Sequence, residues 1–256
     1  MNSKVGEAWQ KAFAETPPVL SEDTVRYIKQ FPTSVIWHYI STFTSLPPKS
    51  LVLEAGCGSG KLSLALALLG FKVTALDYSE SALDTAAANK SELEKRLKTK
   101  LDVTFVKDNL EDLSLQANYF DLVFNEGVVE HWLEKKARVN VLKQMTEVAK
   151  PGGTVVVIVP NGAHPLSPWW EKNCAAFYEA PPMVNYSAAQ LRQELQLAGL
   201  NKVVVDGLYP WRTIDFYSQR PLNKLIGFLL QNTVPLPLKL RQKFGVHLIG
   251  LGVKMV

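Results

Sequence analysis

The sequence predicts an α/β protein with a mostly parallel, seven-stranded sheet between two layers of helices. From Leu51 onward, short apolar runs rich in β-branched residues alternate with helical stretches, which is the pattern of βαβ units. A glycine-rich turn joins the first of these strands to the helix that follows. The 256 residues suffice for one sizeable core, so a single domain with insertions is expected.

Residues 1–46 are predicted to form a separate helical segment, and the main domain is expected to occupy 47–256. Aromatic residues recur at helical spacing in this segment, and prolines divide it into two or three short helices. Its aromatic side chains are candidates for a lid that dries a site below it. The alternative is core packing, expected for at least half of them. These side chains are Trp9, Phe13, Tyr27, Trp37 and Tyr39.

Seven strands are expected in chain order, each separated from the next by a segment with helix-like or loop-like composition. The first five lie near 51–54, 72–76, 102–106, 120–124 and 154–159. A helix then covers Ala188–Ala198, because Ser187 is a favourable N-cap and Gly199 terminates the helix. Strands at 202–205 and 247–255 complete the sheet.

The composition excludes several classes of protein. No apolar stretch reaches the roughly 18 residues that span a bilayer, and no basic start precedes an apolar run, so a cytoplasmic protein is expected. Cys57 and Cys174 have neither disulfide-framework nor zinc-site spacing. The net charge of +4 is small and no aromatic-basic recognition motif accompanies it, so no nucleic-acid partner is expected.

The most informative motif follows the strand Leu51–Leu53. It reads Glu54-Ala55-Gly56-Cys57-Gly58-Ser59-Gly60 and precedes a helix-prone stretch. Such a turn lets backbone N–H groups approach a ligand closely. The dinucleotide fingerprint needs a small residue where this chain has Lys61, and the phosphate loop needs GK[ST] after four spacers. Neither pattern is met.

Glycines at every second position after an acidic strand end resemble the first motif of the class I, seven-stranded S-adenosylmethionine (SAM)-dependent methyltransferases. Phe120–Asn125 resembles the fourth strand of that family, and Ala149–Gly153 resembles its LKPGG turn before the fifth strand. The resemblance is strong over about residues 50–160 and weak over 187–206. It implies a Rossmann-like α/β/α sandwich that binds SAM and releases S-adenosylhomocysteine (SAH).

The resemblance also implies the cofactor contacts. The glycine turn would hold the methionine part of SAM. Asp77, about 20 residues further on, would accept hydrogen bonds from the ribose hydroxyls, although a helix-capping role is the alternative. Tyr78 would pack on the adenine, and Asp108 would accept from its amino group. The full predicted set is Glu54, Gly56, Cys57, Gly58, Gly60, Asp77, Tyr78, Asp108, Asn109, Leu110 and Asn125.

The predicted chemistry is methyl transfer to an oxygen or nitrogen atom of a small molecule. A general base is needed only for an acceptor that is protonated at working pH. The segment 125–132 follows the fourth strand and should lie at the carboxyl edge of the sheet, beside the methyl group. His131 is the predicted base, and Glu130 or Glu126 would orient it or an amine acceptor. Alternatively, His131 and Trp132 only begin the next helix and pack.

Other activities fit the sequence less well. Residues 125–128 lack the Asn/Asp-Pro-Pro-aromatic motif of family members that methylate adenine or glutamine, and no spacing typical of a metal centre is present, so no metal is expected. Two other interpretations stay open. One is a SAM-binding regulatory protein without turnover, and the other is a nicotinamide-dependent oxidoreductase, which Lys61 disfavours.

Two insertions are predicted at the acceptor side. The first, near 161–186, carries an aromatic and proline cluster expected to wall the acceptor site: His164, Pro165, Pro168, Trp169, Trp170, Phe177 and Tyr178. The second, near 209–245, is basic and would bind an anionic substrate or contact a membrane surface, with a solvated face as the alternative. Its cations are Arg212, Arg220, Lys224, Lys239, Arg241 and Lys243.

Overall fold

A computed structural model of the chain describes residues 9–11, 14, 20–167, 182–210 and 236–255. The described strands are β1 (Leu51–Ala55), β2 (Lys72–Asp77), β3 (Val103–Lys107), β4 (Phe120–Glu126), β5 (Ala149–Pro160), β6 (Leu200–Leu208) and β7 (His247–Lys254). The described helices are α1 (Glu22–Gln30), α2 (Val35–Phe43), α3 (Lys61–Leu68), α4 (Glu80–Leu97), α5 (Lys135–Val148), α6 (Ala188–Leu197) and α7 (Leu238–Phe244).

Within these residues the strands form one seven-stranded sheet in the order β3-β2-β1-β4-β5-β7-β6. Strands β1 to β5 pair in parallel, whereas β7 is antiparallel to both of its neighbours, β5 and β6. The predicted mostly parallel α/β/α sandwich is confirmed. Because the parallel strands share one direction, their carboxyl ends meet at one edge of the sheet.

Serine side chains begin four of the helices. The hydroxyls of Ser21, Ser34 and Ser79 accept a backbone N–H from the first turn of α1, α2 and α4, respectively. Ser187 and Gln190 form a reciprocal capping box at α6, as the sequence predicted for Ser187. Each cap satisfies a backbone donor that the helix itself leaves unpaired.

The two faces of the sheet carry separate hydrophobic clusters. Val52 of β1 packs into the cluster formed with α1, α2 and α3, while the next residue, Leu53, packs into the cluster formed with α5 and α6. Both side chains are fully buried, because successive residues of a strand point to opposite faces. The sheet is therefore covered on both sides, which explains the near-continuous apolar character of its inner strands.

The predicted turn at 149–153 is instead part of β5. Phe120 pairs with Ala149 and Leu122 pairs with Thr154, so the residues between them bulge out of the ladder. The bulge is tight, because a Cβ added at Gly153 would lie 2.9 Å from the Lys150 carbonyl oxygen and 3.0 Å from that of Phe120. The expected strand start at 154 was therefore wrong by five residues.

The N-terminal aromatic side chains divide between the core and the carboxyl edge. The Trp37 ring packs between those of Phe31 and Phe71, with centroids 6.0 Å and 5.6 Å away. The Tyr39 hydroxyl donates a 2.7 Å hydrogen bond to the Asp206 carboxylate. Trp37 and Tyr39 thus hold α2 against the sheet and do not form a lid. Phe13 lies outside the described residues.

Parts of both predicted insertions also lie outside the described residues. These parts include Pro168, Trp169, Trp170, Phe177 and Tyr178 of the first insertion and Arg212, Arg220 and Lys224 of the second. No helix in the described part of the chain is long and apolar enough to cross a membrane.

We predict that Gly60→Ala destabilises the protein more than Gly70→Ala does. Both glycines have left-handed backbone angles, with φ of +76° and +90°, which cost about 1 kcal/mol for alanine. A Cβ at Gly60 would also lie 2.9 Å from Ala86 Cβ, whereas nothing lies within 4 Å at Gly70. Urea denaturation should show roughly 1–3 kcal/mol of additional loss for Gly60→Ala. Equal losses would contradict this packing argument.

Candidate functional site

The glycine turn between β1 and α3 uses three residues that need positive φ. Gly56, Gly58 and Gly60 have φ of +84°, +50° and +76°. The N–H groups of Gly56 and Cys57 both donate to the Leu76 carbonyl of β2 at 2.8 Å. A Cβ at Gly56 would lie 2.5 Å from Val128 Cγ2, so only glycine fits beside the segment that follows β4.

Asp77, the last residue of β2, supports this turn. One carboxylate oxygen accepts the Gly58 N–H at 2.8 Å, and the other accepts the Ser79 N–H at 2.9 Å. Burial raises the pKa of Asp77, and these backbone hydrogen bonds oppose the rise. The helix cap itself is the Ser79 side chain, so Asp77 connects the turn to the start of α4.

A cavity opens beyond the carboxyl ends of β1, β2 and β4. It is lined by Trp9, Glu54, Gly56, Cys57, Gly58, Ser59, Lys61, Leu62, Leu76, Asp77, Tyr78, Ser79, Asn109, Leu110, Glu126, Gly127, Val128, His131 and Trp132. The structure thus brings together most of the predicted cofactor residues and two of the three predicted catalytic residues. The predicted residues outside this lining are Gly60, Asp108, Asn125 and Glu130.

Three of those four residues support the cavity from behind. Gly60 lets the turn pack against Ala86 of α4. Asn125 donates from Nδ2 to the Ala55 carbonyl at 2.9 Å, which joins β4 to β1. The Asp108 carboxylate accepts the N–H and hydroxyl of Ser114 at 3.0 and 2.9 Å. Asp108 therefore stabilises its own turn, and the next residues, Asn109 and Leu110, face the cavity instead.

Three carboxyl groups are desolvated: those of Glu54 and Glu126 in the cavity lining and that of Glu130 outside it. Glu54 accepts the Ser63 N–H at 2.7 Å and the Ser63 hydroxyl, yet burial still raises the pKa of Glu54 to about 8. Burial raises the pKa of Glu126, and the Lys61 ammonium opposes that rise. Burial raises the pKa of Glu130 to about 8, and its buried Oε2 has no hydrogen-bond partner among the described residues. Such groups hold their protons more tightly than exposed acids.

The geometry around His131 favours one tautomer. Its Nδ1 lies 3.3 Å from the Pro182 carbonyl oxygen, and a carbonyl can only accept, so Nδ1 carries the proton in that hydrogen bond. In the neutral ring the lone pair is then on Nε2. The Trp9 ring contacts His131 edge to face, with centroids 5.3 Å apart. Val129–His131 form a single 3₁₀ turn separate from α5, so His131 does not begin that helix.

Several supporting residues carried no signal in the sequence. Ser63 holds Glu54, and Asn89 of α4 donates to the Ser59 carbonyl of the glycine turn at 3.0 Å. Lys61 lines the cavity with its ammonium 4.5 Å from the Tyr27 ring centroid. These contacts join residues from different turns or elements, so no short motif contains them.

The described residues hold no group of three His, Cys, Asp or Glu side chains arranged to bind a metal.

Comparison with known proteins agrees with this arrangement. Residues 53–157 match a family described as "Methyltransferase domain". A ubiquinone biosynthesis O-methyltransferase from Caulobacter vibrioides is 35% identical over 111 residues, which are 43% of this chain and 40% of that protein. A malonyl-[acyl-carrier protein] O-methyltransferase from Buchnera aphidicola is 30% identical over 153 residues, 60% of this chain and 53% of that protein.

The chain therefore contains a methyltransferase domain at residues 53–157, and its matches support a class I SAM-dependent methyltransferase. Its fold also matches the crystal structure of magnesium protoporphyrin IX methyltransferase from Synechocystis with bound SAH. That match has a TM-score of 0.56 at 16% identity and covers 99% of this chain and 95% of the other. The cofactor of the family is SAM, as the sequence motifs predicted. The chain spans about half the length of the curated relatives it matches.

We predict that the protein loses stability as pH rises. Glu54 and Glu130 have raised pKa values of about 8 when folded, against 4.5 for an ordinary glutamate. The folded state therefore binds more protons, so the stabilisation is complete below pH 4.5 and is lost as pH rises through about 8. The expected loss is on the order of 5 kcal/mol for each group.

Urea denaturation of Glu130→Gln between pH 5 and 9 tests this prediction. The amide cannot ionise, so the pH dependence of the free energy of unfolding should become shallower. The same substitution at the exposed residue Glu147 serves as the control and should leave the slope unchanged. A slope that Glu130→Gln does not alter would show that Glu130 ionises in the folded state much as it does in the unfolded chain.

Proposed function

We propose that this protein is a methyltransferase that uses SAM to methylate an oxygen or nitrogen atom of a small molecule in the cavity at the carboxyl edge of the sheet. The observation that carries the proposal is the convergence of the glycine turn, Asp77 and Asn109 on one cavity, next to the segment containing His131. These groups come from the ends of four strands or the turns after them, at the place where open α/β sheets bind ligands.

The residues present fit the cofactor. The absence of side chains at Gly56 and Gly58 leaves the backbone of the turn open to the methionine part of SAM. Asp77 and Glu54 offer carboxylate oxygens for the ribose hydroxyls and the amino group, and Tyr78, 49% exposed at the cavity rim, offers a ring face to the adenine. When bound, SAM supplies an electrophilic methyl group on a positively charged sulfur.

The protein's own contribution is to orient the acceptor, exclude water and remove a proton. Val128, Trp132 and Trp9 supply apolar surface at the cavity, which keeps water from the reacting atoms. His131 Nε2 would take the proton from the acceptor hydroxyl or ammonium, while Nδ1 stays bonded to Pro182. Glu126, which also lines the cavity, would orient the acceptor or stabilise the imidazolium.

Two observations bear on the choice of acceptor atom. The two curated relatives described above are O-methyltransferases by name, which favours an oxygen acceptor. The raised pKa of Glu126 and its position in the cavity are equally compatible with an amine. A SAM-binding regulatory protein without turnover is the second candidate, because the supports of the glycine turn serve binding whether or not transfer follows.

We expect isothermal titration calorimetry to detect SAM and SAH binding and no NAD⁺ binding. Gly56→Val should abolish the SAM and SAH signals, because the new valine side chain would clash with Val128 and displace the glycine turn. Circular dichroism must show that this variant is folded. Conversion of radiolabelled SAM to SAH with phenol, carboxylate and amine acceptors then separates enzyme from regulator. Failure of the folded wild type to bind SAM or SAH would refute the proposed function.

We predict that His131→Gln lowers methyl-transfer turnover by roughly 10²–10⁴-fold while SAM affinity changes little. Glutamine keeps a donor for the Pro182 carbonyl but cannot take up the proton. Turnover should be measured against pH with a saturating acceptor, with SAM affinity determined separately by calorimetry. His38→Gln on α2, which does not line the cavity, is the control. Unchanged turnover in the folded His131 variant would remove His131 as the base.

A further inference from the structure

A buried ion pair with a tyrosine lies behind the wall of the cavity. Arg138 of α5 donates from Nη2 to Glu194 Oε1 at 2.8 Å and from Nε to Glu194 Oε2 at 3.1 Å. The Tyr186 hydroxyl donates to Glu194 Oε2 at 2.7 Å. The exposed fractions of Arg138, Glu194 and Tyr186 are 5%, 1% and 0%. We call these three residues the Arg138 triad.

The same guanidinium holds the segment that follows β4. Arg138 Nη1 donates to the backbone carbonyls of Trp132 at 2.9 Å and Leu133 at 2.7 Å. Trp132 and its neighbour His131 both line the cavity. With these bonds, all three guanidinium nitrogens of Arg138 have partners, and two of their bonds go to this segment.

The opposite side of the segment is held by the chain that leads into α6. The Val184 N–H donates to the Glu130 carbonyl at 2.8 Å, and Pro182 accepts from His131. Tyr186 lies two residues after Val184 and belongs to the triad. The segment 130–133 is therefore fixed between Arg138 and residues 182–186, and Glu194 and Tyr186 connect these two supports.

Stability alone is a weak explanation for the triad. Removing an arginine and a carboxylate from water costs several kcal/mol per ion, and apolar replacements of such pairs are often neutral or stabilising. What apolar side chains cannot supply is a donor to two consecutive carbonyl groups. Those carbonyls lie in the segment that carries His131 and Trp132.

We propose that Arg138 is a positioning residue: its bonds to the Trp132 and Leu133 carbonyls, oriented by Glu194 and Tyr186, set the placement of His131 and Trp132 in the cavity wall. Arg138 itself does not line the cavity and touches no reacting atom. The use of SAH as a probe of this cavity rests on the proposed function. The positioning of the segment is tested without any ligand.

The test replaces the whole triad by apolar residues of similar size, as Arg138→Met/Glu194→Leu/Tyr186→Phe. A second triad of the same chemistry provides the matched control. Arg241 donates from Nη2 to Asp206 Oδ2 at 2.6 Å, and Tyr39 donates to the same carboxylate, but none of the three lines the cavity. The control variant is Arg241→Met/Asp206→Leu/Tyr39→Phe.

Hydrogen–deuterium exchange and SAH calorimetry are measured on both variants and the wild type. In the Arg138-triad variant, amides of residues 129–134 should exchange about tenfold faster, while exchange in β1, β4 and β5 and the thermal midpoint change little. The dissociation constant for SAH should rise about tenfold, because Trp132 is no longer held in place in the cavity wall. The control variant should show neither change.

Arg138→Lys provides a second measurement if the triple variant does not fold. Lysine keeps the charge but lacks the planar fork, so it cannot bind Glu194 and both carbonyls together. It should raise exchange of 129–134 selectively. Unchanged exchange in 129–134, or faster exchange throughout the protein, would overturn the positioning role. If the variant shows faster exchange only in residues 129–134 but the folded wild type binds no SAH, the positioning role of Arg138 is retained and the proposed function is refuted.

Discussion

Asp77 accepts backbone N–H groups from Gly58 and Ser79, and these two hydrogen bonds join the glycine turn to the start of α4. The turn cannot satisfy these donors internally, and an unpaired buried N–H costs about 1–3 kcal/mol. Helix α4 in turn packs on Gly60 through Ala86 and binds the Ser59 carbonyl through Asn89. The turn, the end of β2 and α4 thus form one unit, on which the shape of the cavity depends.

The parallel sheet explains why acids accumulate in this cavity. Glu54, Asp77 and Glu126 lie at or near the carboxyl ends of β1, β2 and β4, which meet at one edge. Burial raises the pKa of each, and Lys61 is the one lysine or arginine among the described residues that line the cavity. A cationic ligand offsets this cost, and the cofactor of the family carries such a charge. Acids that weaken the empty protein therefore favour its bound form.

The sequence predicted the fold and the position of the glycine turn because their signals are local. The alternation of strands and helices from Leu51 onward and the glycine turn each occupy a short window. The position of Asp77 could be predicted in the same way, because its spacing from the glycine turn places it at the end of the next strand. The prediction failed where backbone register decides the outcome. Resemblance to the LKPGG turn of the family predicts a turn at 149–153, yet pairing of Ala149 with Phe120 makes this stretch a bulge within β5.

Other supports could not be predicted, because they join residues distant in sequence. Nothing near Trp37 indicates whether it packs on Phe71 or closes over a cavity, and only the path of α2 across the sheet decides it. The orientation of the Asp108 side chain is equally hard to predict from the sequence. Its neighbours Asn109 and Leu110 face the cavity, whereas a contact to Ser114, six residues later, turns the carboxylate away.

The two halves of the cavity consequently differ in how their geometry is set. The half around the glycine turn is held by contacts within residues 54–110, many of them hydrogen bonds between a backbone group and a single side chain. The half around His131, where we propose that the acceptor binds, is a single 3₁₀ turn that lacks a helix or strand ladder of its own. Its position depends on Arg138 and on a partner 56 residues further along the chain. Substitutions in α6 can therefore alter the half around His131 and leave the glycine turn intact.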